Sequence, residues 1–293
     1  MLRFISFLYI ILCTLTVLAQ ESELRPNPET PVWTPIFKGV EKAQTSSTQP
    51  RLQQVFAIRI DTNTKGISFF TTPKANENYQ TDKKETVRQQ TSEFLKEYHL
   101  QVAVNANFFS VPAGEQYSLP GIANVGGLAI SDGSMVSPPE EQLAAAFLVL
   151  KTGQVLLKNC SDKNMGFSNI QVAVTGNKFL LQNGTVLPQT NKDIHPRTLC
   201  GISQDNRYVI WVVIDGRRKG YSEGATFEES AQWLHYFDAW DGLNLDGGGS
   251  STLVIQGKNN DVEILNRPSN NNYLLRYNAN NIGIKALPLS QTD

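Results

Sequence analysis

The sequence predicts an α+β fold with a mixed, mostly antiparallel β-sheet core, a βαβ crossover and few helices. Two apolar runs, 199–203 and 208–214, flank a polar turn, which is the pattern of a β-hairpin. Thr226 and Glu229 have the spacing of a capping box, and apolar residues then recur at helical spacing. Residues 126–188 alternate apolar runs with glycine-containing turns, which is typical of β-sheet.

The hairpin has a predicted register. If its turn closes with Ser203 opposite Tyr208, counting outward sets Arg197 opposite Ile214. Arg197 then lies beside Asp215, the residue that follows the second strand. The register therefore brings a basic and an acidic side chain to one edge of the sheet.

A crossover follows the hairpin. The helix predicted to begin after Thr226 leads to the apolar run 243–245, which ends at Asp246. Strand, helix and strand in this order predict a right-handed crossover between parallel strands. Asp215 and Asp246 would then stand at the carboxyl ends of strands, where open α/β sheets bind ligands. Glu223, in the loop before the helix, is expected on the same side.

A glycine-rich loop begins at Asp246, with the sequence D-G-G-G-S-S. Glycines allow close approach of a ligand and positive φ, so that backbone N–H groups can receive an anion. The loop lacks the Gly-Lys-Ser/Thr of a phosphate-binding P-loop, and the residues after it predict a strand. The alternative is a plain turn between two strands. The flanking acid and serines favour a ligand site.

Five motifs carry a resemblance to a known family: V-A-V-N-A-N-F-F at 102–109, R-T-L-C-G-I at 197–202, the run from V-V-I-D-G-R to T-F-E-E at 212–229, N-L-D-G-G-G-S-S-T-L-V at 244–254 and N-R-P-S at 266–269. With them the chain resembles the phosphodiester glycosidase family from about residue 55 to 284. Asn107 departs from the pattern, because the family often has a small residue there. Asn tolerates left-handed φ better than other non-glycine residues.

The resemblance implies hydrolysis of the sugar C1–O bond in a sugar-1-phosphodiester, of the α-N-acetylglucosamine-1-phosphodiester type. We expect Asp246 and Glu223 to be the reacting pair. Asp215 would be a third acid or the partner of Arg197, and Arg197 would bind the phosphate. The N–H groups of the glycine loop would assist. The residues of this loop in the predicted substrate site are Gly247, Gly248, Gly249, Ser250 and Ser251.

Five further residues bear on the predicted site, and four of them have more than one interpretation. Asn105 is expected to face the sugar, whereas the neighbouring Phe108 and Phe109 could be either substrate contacts or core. Arg267 is either a second anion contact or a loop arginine paired with an acid. His195 is a weaker candidate for a general acid or ligand, because a lone histidine is more often structural.

Two functions of other classes remain open. The chain could be a non-catalytic secreted glycan-binding protein on the same scaffold. It could also be a metal-dependent phosphodiesterase that cuts P–O, with Asp215 and Asp246 as ligands of Ca²⁺ or Mg²⁺. No cofactor is predicted otherwise, since the two cysteines outside the apolar N-terminal run and three scattered histidines form no zinc motif.

The N-terminus predicts export. Arg3 precedes an apolar run that ends near Ala19, which is typical of a secretory signal peptide over residues 1–19. A polar, proline-containing arm is predicted for 20–50, the glycosidase-like domain for 51–287 and a tail for 288–293.

The charge balance limits the classes of partner that the sequence predicts, and the cysteines leave one question open. Without residues 1–19, the chain has 25 basic and 27 acidic residues, too balanced for binding nucleic acid or an anionic membrane surface. No other segment predicts membrane insertion, so the expected partner is a phosphorylated glycan or another sugar-1-phosphodiester. Cys160 and Cys200 could form a disulfide or remain buried thiols. The oligomeric state is not predicted.

Overall fold

A computed structural model describes residues 30–75, 85–162, 164–270 and 274–290, which form four antiparallel sheets and two helices. The predicted signal peptide and the first ten residues of the predicted arm lie outside these ranges. The largest sheet contains, in spatial order, β1 (Thr34–Phe37), β2 (Val40–Ser47), β3 (Gln53–Asp61), β17 (Tyr208–Ile214), β16 (Arg197–Ile202), β18 (Asp241–Asn244), β14 (Lys178–Gln182) and β15 (Thr185–Val186).

Three smaller sheets complete the strand set of the described chain. The second sheet contains β10 (Ser134–Ser137), β9 (Ala129–Ser131), β13 (Ile170–Gly176), β11 (Ala145–Leu150) and β12 (Val155–Asn159). The third contains β20 (Val262–Ile264), β19 (Leu253–Gln256), β6 (Val102–Asn105), β21 (Asn281–Lys285) and β4 (Ser68–Thr71). The smallest contains β5 (Thr86–Val87), β8 (Ile122–Val125) and β7 (Phe109–Ser110).

The main core lies among the three larger sheets. Trp211 on β17, Phe147 on β11 and Val104 on β6 are fully buried in one apolar cluster. A second cluster packs the helix α2 (Phe227–Tyr236) against the large sheet through Trp233 and Leu234. The other described helix, α1 (Thr91–Glu97), covers the third sheet. The fold is therefore largely β, with helices as minor elements.

The hairpin prediction is confirmed. Arg197 pairs with Ile214, and the N–H of Ser203 donates to the carbonyl of Tyr208. The capping box of α2 is confirmed as well, because the Thr226 hydroxyl accepts from the Glu229 N–H and the Glu229 carboxylate accepts from the Thr226 N–H. Local turn and capping chemistry therefore determined these elements.

The structure does not confirm the βαβ crossover as a pair of adjacent parallel strands. β16 lies between β17 and β18 and pairs antiparallel with both of them. β17 and β18 still run in the same direction, since each is antiparallel to β16. Asp215 and Asp246 therefore follow strands that end at the same edge of the large sheet.

The N-terminal arm needs a correction where the chain is described. Residues 34–47 form β1 and β2, and β2 pairs with β3 over its whole length. Val40 and Ala43 of β2 point into the core, whereas most of its other side chains are polar and at least partly exposed. Because β2 is mostly polar, its composition did not predict a strand. Its pairing with β3 holds it in the sheet.

Cys160 and Cys200 are buried and not bonded to each other. They lie in different apolar clusters, and burial raises the pKa of both thiols, that of Cys160 to about 11. Neither helix of the described residues has the length and apolar character that a membrane crossing requires.

Candidate active site

An open cavity of about 280 Å³ lies at the edge of the large sheet where β18 ends. Its lining contains one carboxylate, three guanidinium groups, one imidazole, two amides, one aromatic ring and three glycines. The lining residues are Phe108, Asn177, His195, Arg197, Arg217, Asn244, Asp246, Gly247, Gly248, Gly249 and Arg276. Cations therefore outnumber the single acid, which favours an anionic ligand.

The backbone of Asp246 is held from two sides. Its N–H donates to the Ala106 carbonyl, and its carbonyl accepts from Asn105 Nδ2 at 2.6 Å. Asn105 Oδ1 in turn accepts from Thr198 Oγ1 and from the Thr252 N–H. Asn105 is 1% exposed and does not line the cavity, so it positions Asp246 and does not face the sugar as the sequence suggested.

The Asp246 side chain lines the cavity and has a raised pKa. Burial raises the pKa of this carboxyl to about 6, although hydrogen bonds from the Ser250 hydroxyl and the Gly247 N–H and the charge of Arg276 oppose the shift. A carboxylate with this pKa changes charge near neutral pH, which is a property of groups that take part in proton transfer or nucleophilic attack.

Arg276 lies beside this acid. Its Nη1 donates to the Ser250 hydroxyl at 3.2 Å, and its guanidinium carbon lies 4.9 Å from the centre of the Tyr117 ring. Burial lowers the pKa of Arg276, and the Asp246 charge opposes that change. Arg276 forms no ion pair with any described residue, so its charge is available to a ligand.

Arg217 approaches the cavity from the loop after β17. It has a left-handed backbone, with φ at +61°, and its Nη2 lies 3.3 Å from His195 Nδ1. A non-glycine residue with this φ is uncommon and often marks a functional loop. Burial and the neighbouring arginines Arg197 and Arg217 lower the pKa of His195, so the imidazole is neutral at physiological pH.

The glycines of the loop make room for these arginines. A Cβ at Gly248 would lie 3.0 Å from Arg217 Nη2, and a Cβ at Gly249 would lie 2.7 Å from Arg276 Nη2. The N–H of Gly247 donates to the Asp246 carboxylate, and that of Gly248 donates to the Pro196 carbonyl. Two of the three N–H groups expected to receive an anion are therefore used within the protein.

Arg197 lines the same cavity but is largely committed to the fold. Its Nε donates to the Ala225 carbonyl, its Nη2 donates to the Asp193 carbonyl, and its guanidinium carbon lies 4.1 Å from the Phe227 ring centre. Burial lowers its pKa to about 10, so it remains cationic at neutral pH. Its positive charge lies at the cavity, but two of its N–H groups already donate to backbone carbonyls.

The family model for phosphodiester glycosidases matches residues 98–285, about two thirds of the chain. The chain belongs to the phosphodiester glycosidase family. Every residue that lines the cavity lies inside the matched segment. A comparison with curated protein sequences found no match.

Three solved structures share the fold of this phosphodiester glycosidase family member. The zebrafish N-acetylglucosamine-1-phosphodiester alpha-N-acetylglucosaminidase catalytic domain, auto-inhibited by pro-peptide, is 17% identical, with a TM-score of 0.64 over 90% of this chain and 89% of that one. A Synechocystis protein described as hypothetical is 15% identical, with a TM-score of 0.59 over 86% and 64%. A Burkholderia pseudomallei protein described as exported is 14% identical, with a TM-score of 0.56 over 81% and 74%.

Asp215, one of the three predicted acids, does not line the cavity of this phosphodiester glycosidase family member. It is 1% exposed, and its carboxylate accepts from Asn266 Nδ2, the Arg267 N–H and the Tyr221 hydroxyl. Asp215 and Arg197 do not form the expected ion pair. Asp215 thus joins the loop that carries Arg217 to the loop after β20.

Glu223, Arg267, Ser250 and Ser251 also lie outside the cavity lining. Glu223 is exposed, and its backbone carbonyl accepts from the Arg217 N–H. The Arg267 guanidinium carbon lies 4.6 Å from the Tyr221 ring centre. Ser251 is buried with a hydroxyl that has no partner among the described residues. The structure therefore does not set Glu223 opposite Asp246, because its loop turns the side chain to solvent.

The two undecided phenylalanines separate. Phe108 lines the cavity, whereas Phe109 packs in an apolar cluster and against Tyr117. Asn107 is buried. Its Nδ2 donates to the Gly126 and Leu128 carbonyls and to the Thr175 hydroxyl, and its Oδ1 accepts from the Thr175 N–H. The departure at Asn107 is thus a structural one.

The sequence-based reasoning missed four polar residues of the site: Asn177, Arg217, Asn244 and Arg276. The D-G-R triplet was a signal for Arg217, because an arginine directly after the Asp-Gly turn shares the sheet edge with Asp215. Asn244 is the first residue of the N-L-D-G-G-G motif, whereas nothing local marked Asn177 and Arg276, which come from other parts of the chain. No group of three or more metal-ligating His, Cys, Asp or Glu side chains occurs in the described ranges.

Proposed function

We propose that the protein is a hydrolase that cleaves the sugar C1–O bond of a sugar-1-phosphodiester. One observation carries the proposal: a single cavity combines one carboxylate of raised pKa with two guanidinium groups that have no ion-pair partner in the described chain. Membership of the phosphodiester glycosidase family supports the reaction class.

Arg276 and Arg217 bind the phosphodiester in this proposal. A guanidinium can donate two parallel N–H bonds to phosphate oxygens, and such charge-assisted bonds are stronger than those between neutral groups. When C1–O breaks, the phosphate leaves with the bonding electron pair as a phosphomonoester, and the arginines stabilise its added charge. The leaving oxygen therefore needs no proton from a second acid, which suits a cavity whose described lining holds only one carboxylate.

Asp246 acts in its ionised form, either as a nucleophile at C1 or as the base that activates water. In the first case water then hydrolyses the glycosyl–enzyme ester, and in the second water attacks C1 directly. Both routes give a free sugar and a phosphomonoester. Glu223, the second reacting acid expected from the sequence, has no role in the proposed hydrolysis, because its side chain is exposed outside the cavity.

The α-N-acetylglucosamine-1-phosphodiester class is the first substrate to test. The fold shared with the zebrafish N-acetylglucosamine-1-phosphodiester alpha-N-acetylglucosaminidase supports this choice. The predicted signal peptide and the structural likeness to a Burkholderia pseudomallei protein described as exported support an exported location.

Hydrolysis in H₂¹⁸O tests the proposal. The full chain is incubated with an α-N-acetylglucosamine-1-phosphodiester, and the products are analysed by mass spectrometry. We expect ¹⁸O in the free sugar and none in the phosphomonoester. Label in the phosphate would identify P–O cleavage and a phosphodiesterase. Binding without turnover would identify a glycan-binding protein, and either outcome would overturn the proposal.

A further inference from the structure

Tyr117, on the loop between β7 and β8, lies against the arginine at one side of the cavity. The Arg276 guanidinium carbon is 4.9 Å from the centre of the Tyr117 ring, and the Tyr277 N–H donates to the Tyr117 carbonyl at 3.2 Å. A guanidinium at this distance is attracted to an aromatic face. Side-chain and backbone contacts therefore hold Tyr117 beside Arg276, although Tyr117 itself does not line the cavity.

Three contacts set the order of the groups on this side of the site. The Ser250 hydroxyl donates to the Asp246 carboxylate and accepts from Arg276 Nη1 at 3.2 Å, and Arg276 lies over Tyr117. In the proposed reaction, Asp246 acts at the sugar C1 and Arg276 binds the phosphate. The phosphate of a diester also carries a second alcohol, on an oxygen that does not bond the sugar. With the sugar at Asp246, this alcohol extends past Arg276 towards Tyr117.

The surface around Tyr117 is apolar and exposed. Tyr117 is 40% exposed, Leu119 is 54% exposed and Leu274 is 61% exposed. Residues two apart in a chain have Cα atoms within about 7 Å of each other, so Leu119 lies near Tyr117 and Leu274 lies near Arg276. We refer to these three apolar residues as the apolar rim. Single exposed apolar residues are common, but a group of them beside a cationic cavity indicates contact with a ligand.

The loop that carries Tyr117 and Leu119 is fixed to the fold by Arg88. Arg88 Nη1 donates to the Gln116 carbonyl at 2.8 Å, Nη2 pairs with the Glu115 carboxylate, and the backbone N–H donates to the Gly121 carbonyl at 2.7 Å. Arg88 is buried. These contacts hold both ends of the loop segment in place, as a binding site on a loop requires.

We propose that the apolar rim binds the second alcohol of the phosphodiester and selects an apolar, alkyl-type alcohol. Arg276 takes the charged phosphate, and the rim removes the adjoining alkyl chain from water. A polar chain at the same place would lose hydrogen bonds to water without new partners. No bond to this alcohol breaks in the reaction, so it leaves as its phosphomonoester. The inference rests on the proposed function, since it places the phosphate of a sugar-1-phosphodiester at Arg276.

A comparison of two alcohols of equal chain length tests the inference. We measure kcat/KM for the α-N-acetylglucosamine-1-phosphodiesters of octanol and of diethylene glycol monoethyl ether, in which two methylene groups are replaced by oxygen. We expect the wild type to prefer the octyl ester by about tenfold, because burial of two further methylene groups has about this effect. Leu119→Ser/Leu274→Ser should reduce the preference to about threefold or less, and Tyr117→Ala should reduce it as well. Both esters share the phosphate, so a change in phosphate binding cancels in the ratio.

Leu289→Ser is the matched control. It changes an exposed leucine beyond the C-terminal end of β21, whereas Arg276 precedes the start of that strand, and it should keep the wild-type preference. Equal kcat/KM for the two esters in the wild type, or an unchanged preference in both rim variants, would overturn the inference. The two esters are compared in one preparation, so the ratio does not depend on the folded fraction of a variant.

A binding measurement separates this inference from the proposed function. Calorimetry on the wild type compares the phosphomonoesters of the same two alcohols, which carry no sugar and therefore no C1–O bond to cleave. Tighter binding of octyl phosphate, lost in Leu119→Ser/Leu274→Ser, supports the apolar rim even if neither phosphodiester is hydrolysed. Equal binding of the two phosphomonoesters, or a preference that persists in this variant, would contradict it.

Discussion

Asp215 and Asp246 follow two strands that end at the same edge of the large sheet, yet their surroundings differ. The Asp215 carboxylate accepts from three donors that belong to the surrounding loops. Asp246 accepts from Ser250 and Gly247 but also lines an open, cationic cavity. Burial raises the pKa of both carboxyls, so the pKa alone does not distinguish their roles.

The difference shows that the direction of a side chain decides its role more than its place on a strand. Asp215 connects the loop of Arg217 with Asn266 and Arg267, so it stabilises these loops without lining the cavity. Asp246 has its backbone fixed by Asn105, which leaves its carboxylate at the cavity. One acid stabilises the loops and the other is available for chemistry.

Replacing Asp246 should produce the largest effect on activity. Asp246→Asn keeps the shape of the side chain but removes the base or nucleophile, so we expect kcat to fall by about 10³-fold or more. Steady-state kinetics on the α-N-acetylglucosamine-1-phosphodiester checks this, with the exposed Asp261→Asn as the matched control. A variant that turns over at nearly the wild-type rate would remove Asp246 from the mechanism.

Replacing Asp215 should affect stability first. Asp215→Ala leaves the three donors around the carboxylate without an acceptor, so we expect the free energy of unfolding to fall by about 2 kcal/mol. The Arg217 loop would lose an anchor, and KM should rise by about tenfold with little change in kcat. Denaturant unfolding and kinetics measure both quantities. A large loss of kcat with unchanged stability would instead make Asp215 a reacting acid.

A smaller effect is expected when a methyl group is added to the glycine loop. Gly249→Ala would place a Cβ 2.3 Å from Asn270 Oδ1 and 2.7 Å from Arg276 Nη2, so the arginine must move. We expect kcat/KM to fall by about tenfold, because displaced phosphate contacts weaken binding. Gly166→Ala is the control, since its Cβ would meet no atom within 4 Å. Equal kinetics for the two variants would show that Arg276 does not contact the phosphate.

The pH dependence should follow the Asp246 carboxyl. The proposed reaction requires the ionised form of Asp246, so kcat/KM should rise about tenfold per pH unit below its pKa of about 6 and level off above it. Above pH 7 the rate should stay level with respect to His195, because the lowered pKa of this imidazole leaves it already neutral there. A rate that falls as the pH rises through 6 would instead indicate that Asp246 acts as a general acid.

The sequence predicted the parts of the fold that local chemistry controls. The register that sets Arg197 opposite Ile214 followed from the turn, and the start of α2 followed from the capping box at Thr226 and Glu229. The position of β16 between β17 and β18 depends on long-range pairing, which the order of elements along the chain does not reveal.

The candidate site was only partly predictable for a related reason. Asp246 and its glycine loop form a continuous motif, and both line the cavity. Arg276 comes from a loop 30 residues later, and Asn177 directly precedes β14, which pairs with β18 but lies far from it in sequence, so only the folded chain brings them together. Glu223 is only six residues from Arg217, and its backbone carbonyl accepts from the Arg217 N–H. Its side chain is nevertheless exposed to solvent.

The most direct test measures stability and turnover of Asp246→Asn in one preparation. A pKa raised by folding means that ionisation at high pH costs stability, which is retained below pH 4 and lost as the pH rises through 6. At pH 8 we therefore expect Asp246→Asn to be more stable than the wild type by about 2–3 kcal/mol, with little difference at pH 4, while its turnover is lost. A variant that is less stable at pH 8, or that remains active, would contradict the role of Asp246 as the buried, reacting carboxylate.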